Sequence, residues 1–167
     1  MDRPAEDTVA FLADLRLFRD VGEGDLSPLA QNLKERTLKK GHVLFREGDQ
    51  GDEMFIVRRG ALIVSKAVTG RVEQVLSRMG AGECFGEMSL FDRAPRSATV
   101  QADDDTVLLV LDRDRLQALI DVNPSAGAAF LHALIQVFID RLRASSDLVA
   151  EVTRWGLEAT GLDIESR

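Results

Sequence analysis

The chain has 167 residues, 45% hydrophobic and 29% charged, the balance of one soluble globular domain long enough to bury a core. Its net charge of −7 excludes a general affinity for nucleic acid or anionic lipid, so an anionic ligand needs a local positive site built against the global field. The lone Cys84 cannot form an internal disulfide, no apolar run nears the roughly 20 residues that span a bilayer, and the acidic start MDRPAEDTVAFLADL lacks a signal peptide's order, so a cytoplasmic setting without membrane insertion is expected.

Residues 1–36 read as helical, with helices from about residue 8. Phe11, Leu12, Leu15, Leu17 and Phe18 form a short apolar face. In DLSPLAQNLKER, Ser27 reads as an N-cap and Pro28 as the first helical residue. Residues 37–112 read as β-structure. Glycines punctuate the apolar segments HVLF, EMFIVR, ALIVSK, EQVLSRM, SATVQA and DTVLLVLD, and REGDQGDEM is a turn between two of them. Many short strands with glycine turns imply an antiparallel roll, barrel or sandwich.

Residues 113–155 return to helix. Asp112 caps DRDRLQALIDV; Asn123 then caps a second helix, with Pro124 in its first turn. Leu131, Ile135, Phe138, Leu142, Val149 and Val152 repeat at alternating four- and three-residue steps, and Ser145 fills the missing step. That spacing is the seam of a coiled coil, and it implies a parallel homodimer through residues 131–155. Leu134, Val137, Ala144, Leu148 and Trp155 form a flanking row. Residues 156–167 read as a loose tail. The fold class is thus α+β, mainly β: an antiparallel roll or jelly roll flanked by N-terminal helices and a long C-terminal helix, in one domain over residues 1–155.

The stretch GECFGEMSLFDRAPRSATV, residues 82–100, carries the chemistry. A small anion is held by free backbone N–H groups at a helical turn plus one guanidinium. Gly86 permits an unusual backbone, and the turn after it points the amides of Met88 and Ser89 outward. Pro95 stiffens the approach to Arg96, Ser97 adds a hydroxyl and an amide, and Ala98 leaves room. Beside an anion, Glu87 makes sense as the acceptor of a sugar hydroxyl, or as a partner that orients Arg96.

This stretch resembles the phosphate-binding cassette of cyclic-nucleotide-binding domains, whose pattern is F-G-E, a small run, then P-R-(S/T/A)-A-T-V. Phe85-Gly86-Glu87 and Pro95-Arg96-Ser97-Ala98-Thr99-Val100 match it without gaps. LFREGDQGDEMFIVRRGALIVSK, residues 44–66, looks like the family's early strands and turn, so the likeness covers roughly residues 10–150. The resemblance implies that Glu87 binds the ribose 2′-hydroxyl and Arg96 the cyclic phosphate. Gly86, Ser89 and Ser97 would complete the cradle, and at Ser89 the group required is the amide. The base would lie against Val64 and Leu76, with Ser77 near its edge. RLRASSDLV, residues 141–149, is similar to the helix that covers the base in catabolite activator proteins. There Arg141 would lie over the base, and Ser145 and Ser146 would reach the adenine amino group, one from each subunit.

The expected function is therefore a cyclic-nucleotide sensor, for cAMP more than cGMP, that switches an effector protein through its long helix. Ser97 in place of the threonine of many cGMP-selecting members leans toward cAMP. The short, non-basic segment after Trp155 offers no recognition helix, so no nucleic-acid partner is expected. A ligand-free dimerisation module on the same fold is the alternative. A metal enzyme on a similar roll is rejected: His42 in a strand and His132 in a helix are the only histidines and cannot supply a clustered ligand set. No catalytic residue, metal or cofactor is expected.

Overall fold

A computed structural model describes residues 3–69 and 72–160. Two helices come first, α1 (Arg3–Ala13) and α2 (Glu23–Asn32), joined through a short 3-10 turn at Arg16–Phe18. Eight strands follow: β1 (Lys34–Leu38), β2 (Val43–Phe45), β3 (Glu53–Arg59), β4 (Leu62–Thr69), β5 (Val72–Met79), β6 (Cys84–Phe85), β7 (Thr99–Ala102) and β8 (Thr106–Asp112). The chain closes with α3 (Arg113–Val122) and α4 (Pro124–Ala159). The strands form two four-stranded sheets, ordered β1-β8-β3-β6 and β2-β7-β4-β5, and the strand pairings are antiparallel. This is the expected mainly-β roll between helices.

Alternation along β3 and β8 explains why two cores form. Phe55 and Val57 in β3, with Leu108 and Val110 in β8, face the second sheet and pack with Leu62, Phe85 and Val100. Met54, Ile56, Leu109 and Leu111 face the other way, onto Leu12, Phe18, Leu26, Leu116, Leu119 and Phe130 of the helices. Both strands are buried on both sides, so they read as unbroken apolar runs.

Several expected boundaries move. The second helix begins at Glu23 after Gly22, not at a Ser27 cap, and Pro28 lies inside it. Glu23 and Asp25 suit the positive end of the helix dipole. Pro28 lacks an N–H, but burial of Leu26, Leu29 and Ala30 holds the turn closed. The same helix stops at Asn32, so Lys34-Glu35-Arg36 is strand rather than helix. This edge strand is polar because its charges pair sideways, Arg36 with Glu53 and Glu35 with Arg58. β2 begins at Val43, one residue past His42. Asp112 caps α3 as expected, accepting the Arg115 amide at 2.8 Å. Asn123 does not cap α4 with its side chain; its carbonyl accepts the Gly127 amide at 2.9 Å instead. α4 continues through Gly156 to Ala159, so the expected tail is helical there, and its residues 161–167 lie outside the described residues.

Candidate functional site

The cassette starts where β6 leaves the roll. Gly86 adopts φ 74°, a left-handed conformation that turns the chain from strand into a short 3-10 helix, Glu87–Leu90. The turn is drawn tight by the Ser89 amide donating to the Gly86 carbonyl at 3.2 Å. Its far end is stapled by Arg113, at the start of α3. The Arg113 guanidinium donates to the carbonyls of Ser89 at 2.6 Å, Leu90 at 3.0 Å and Asp92 at 2.6 Å. Carbonyls are thus satisfied at one end of the turn, and the Ser89 amide, expected to point outward, is instead taken up by the Gly86 carbonyl.

Arg96 comes from the loop before β7. Its backbone is clamped to the β2–β3 turn: the Arg96 amide donates to Asp49 and the Gly48 amide donates to Arg96, each at 2.8 Å. The side chain is 6% exposed. Nη1 donates to the Ser89 hydroxyl at 2.9 Å and to the Glu53 carbonyl at 3.0 Å. The guanidinium carbon lies 4.3 Å from the centre of the Phe45 ring and 5.6 Å from that of Phe55. Burial holds the Arg96 pKa below the usual arginine value, with nearby Glu53 and Asp52 opposing the shift. Among the described residues no carboxylate side chain forms an ion pair with it. A guanidinium held rigidly by neutral acceptors keeps its attraction for an incoming anion.

Glu87 does not orient Arg96. The carboxylate is 3% exposed, and Oε1 pairs with Arg141 of α4. Arg141 also donates to the Cys84 carbonyl at 2.5 Å, latching the long helix to the cassette at two points. Glu87 Oε2 is buried and accepts no hydrogen bond among the described residues. A buried, unpaired carboxylate oxygen is costly unless a donor reaches it. Cys84 beneath the latch is core, and burial pushes its thiol up to about 11, so the thiol is neutral.

These groups line one cavity of about 400 Å³, of a size that suits a small ligand. Gly86, Glu87, Met88, Ser89, Arg96, Ser97 and Arg141 all face it, as do Val64 and Ser77 from β4 and β5. Leu76 does not. It is the extra residue of a β-bulge, between the pairs Val64–Ser77 and Ser65–Val75, and is 52% exposed. Ser145 and Ser146 also stand outside the cavity, exposed on α4, with the Ser146 hydroxyl donating to the Leu142 carbonyl at 2.9 Å. At Ser89 the hydroxyl is the group turned to Arg96, from which it accepts, while the amide is held by the Gly86 carbonyl.

Phe45 and Arg113 were not readable as site residues. Phe45 is the last residue of a predicted strand, and only the roll brings its ring over Arg96. Arg113 lies 24 positions from Ser89 and meets it across the fold. No local motif marks either.

Residues 35–123, more than half of the chain, match the model of the cyclic nucleotide-binding domain. The chain is 28% identical over 141 residues to a CRP-like cAMP-activated global transcriptional regulator of Mycobacterium tuberculosis, covering 84% of this chain and 61% of that relative. It thus spans less than two thirds of that relative's length. Among solved structures, a cyclic nucleotide-binding domain from Methylobacillus flagellatus superposes with a TM-score of 0.78 at 30% identity, covering 90% of this chain and 84% of that one. The Thermus thermophilus catabolite activator protein superposes with a TM-score of 0.73 at 31% identity, covering 82% and 62%. Those matches enclose the same roll, and the matched segment contains the cassette just described, so the chain belongs to the cyclic nucleotide-binding domain family, in its catabolite-activator-like form.

Proposed function

We propose that the chain is a cAMP-binding sensor module, a regulatory binder rather than a catalyst, acting in the cytoplasm. One observation carries this reading: a buried arginine that forms no ion pair, and a buried carboxylate oxygen that accepts no hydrogen bond, among the described residues, line the same 400 Å³ cavity. A cyclic nucleotide supplies both missing groups, a phosphate anion for Arg96 and a ribose hydroxyl for Glu87 Oε2. Val64 and Ser77 would receive the base. The Mycobacterium tuberculosis relative is a cAMP-activated regulator, which favours adenine over guanine.

The switch would run through α4. Arg141 ties this helix to the ribose-binding carboxylate, so filling the site changes what the latch holds. Ligand can shift the helix by no more than its differential affinity for the two arrangements. The exposed apolar residues Leu142, Val149 and Val152 suit a second copy of the chain through residues 131–155. In that dimer Ser145 and Ser146 would come near the base. An effector protein would read the change.

Isothermal titration of nucleotide-free protein with cAMP and then cGMP tests the reading. Saturation near one ligand per chain, tighter for cAMP, is expected. Arg96→Ala is expected to weaken cAMP by about 2–5 kcal/mol, because it removes a desolvated charge partner. A tighter cGMP isotherm would reassign the signal. No heat with either nucleotide from folded protein would leave the dimerisation module as the function.

A further inference from the structure

Arg96 is seated between two glycines, and the two do different things. Gly86 lies on the Nη1 side: a Cβ there would come within 2.8 Å of Nη1 and 3.0 Å of the Glu53 carbonyl. Its φ of 74° already favours glycine, so any substitution strains the backbone as well. Gly51, in the β2–β3 turn, lies on the Nε and Nη2 side. A Cβ there would sit 2.5 Å from Cζ and nearer still to Nε and Nη2, and these are its three nearest atoms. Yet Gly51 has no positive φ, so an alanine there meets no left-handed backbone. Gly48, three residues earlier in the same turn, contrasts with it: φ is 88° and no atom lies within 4 Å of a Cβ built there. Gly48 is glycine for the turn, and Gly51 is glycine for its neighbour.

We propose that Gly51 is a positioning residue for the anion site: its missing side chain is what lets the Arg96 guanidinium lie against the β2–β3 turn, squared to the cavity. This rests on the reading of Arg96 as the phosphate ligand. A methyl group at 51 meets the guanidinium end of Arg96 first, since its three nearest atoms all belong to that side chain. The fold escapes by letting the guanidinium swing. That movement breaks its bonds to the Ser89 hydroxyl and Glu53 carbonyl and pulls it off the Phe45 ring. The β2–β3 turn therefore gates phosphate recognition without touching the rest of the ligand.

Gly51→Ala in the full chain tests this. Thermal unfolding is expected to stay near wild type. The Kd for cAMP is expected to rise about tenfold or more, while that for adenosine, which has the base and ribose but no phosphate, stays within about twofold. In an Arg96→Ala background the same substitution is expected to add nothing for cAMP, since both act on one interaction. Equal losses for cAMP and adenosine, additive losses with Arg96→Ala, or unchanged cAMP binding would each overturn the proposal. A ligand-free readout separates it from the reading beneath it. The Arg96 Nε–H resonance is expected to carry a ring shift from Phe45 in wild type and to move toward its unstacked position in Gly51→Ala. If wild type binds no cyclic nucleotide, the sensor reading falls, and this resonance still decides the seat: a shift upholds it and an unmoved signal removes it.

Discussion

Within α4, Phe130 and Leu134 are 1% exposed, whereas Leu142, Val149 and Val152 are 69%, 63% and 57% exposed. The apolar spacing continues through both halves, yet the surroundings change completely. The first half packs against α2, α3 and the outer face of one sheet. The second half has run past the domain: α4 has 36 residues, about 54 Å of helix, and its buried residues end at Leu134. A periodic apolar face states that something covers it. It does not say whether the cover is the same chain. The boundary between the halves is marked by Arg141, the residue that ties the helix to the site.

Removing a buried anchor from the first half has the largest expected effect. Phe130→Ala is expected to destabilise the domain by about 3–5 kcal/mol, through lost burial and the cavity left beside Phe18. A lowered melting temperature checks it, and an unchanged one would mean that the helix is not anchored where it packs. Cutting the latch comes next. Arg141→Ala leaves Glu87 buried without its partner, which is expected to cost about 1–2 kcal/mol, since the arginine itself is 43% exposed. Faster amide exchange around residues 136–145, with the roll still protected, would show the helix loosening there. Uniform exchange across the molecule would erase the distinction between the halves. The smallest effect on the monomer belongs to the second half. Leu142→Asp is expected to change unfolding by no more than about 0.5 kcal/mol, because the residue is exposed. The same substitution is expected to halve the mass seen by light scattering if a second copy covers this face. A mass that stays at two chains would move the dimer contact elsewhere.

Much of the site was legible because it is local. Phe85-Gly86-Glu87 and Pro95-Arg96-Ser97 are each contiguous, and their chemistry follows from residue type and the αL glycine. Val64 and Ser77 were placed by position and line the cavity, while Leu76 missed because a bulge shifts the register by one residue. The role of Glu87 was legible only in part. Its place in the cassette with Arg96 was plain, but its partner, Arg141, lies 54 positions away on another element. The start of α2 was misread because Ser27-Pro28 is a good local signal that burial of Leu26 and Leu29 overrides.

The sequence by itself determined the class of fold, the apolar segments that become β3 and β8, the contiguous cassette from Phe85 to Val100 and the apolar face of α4. Each of these is written in neighbouring residues or in a short period, so local chemistry suffices. Only the tertiary structure decided that Arg96 is held by Ser89, Glu53 and Phe45, that Glu87 pairs with Arg141, and that Arg113 staples the cassette to α3. Those bonds join elements far apart in the chain, and the direction of a buried guanidinium depends on every neighbour that leaves it room.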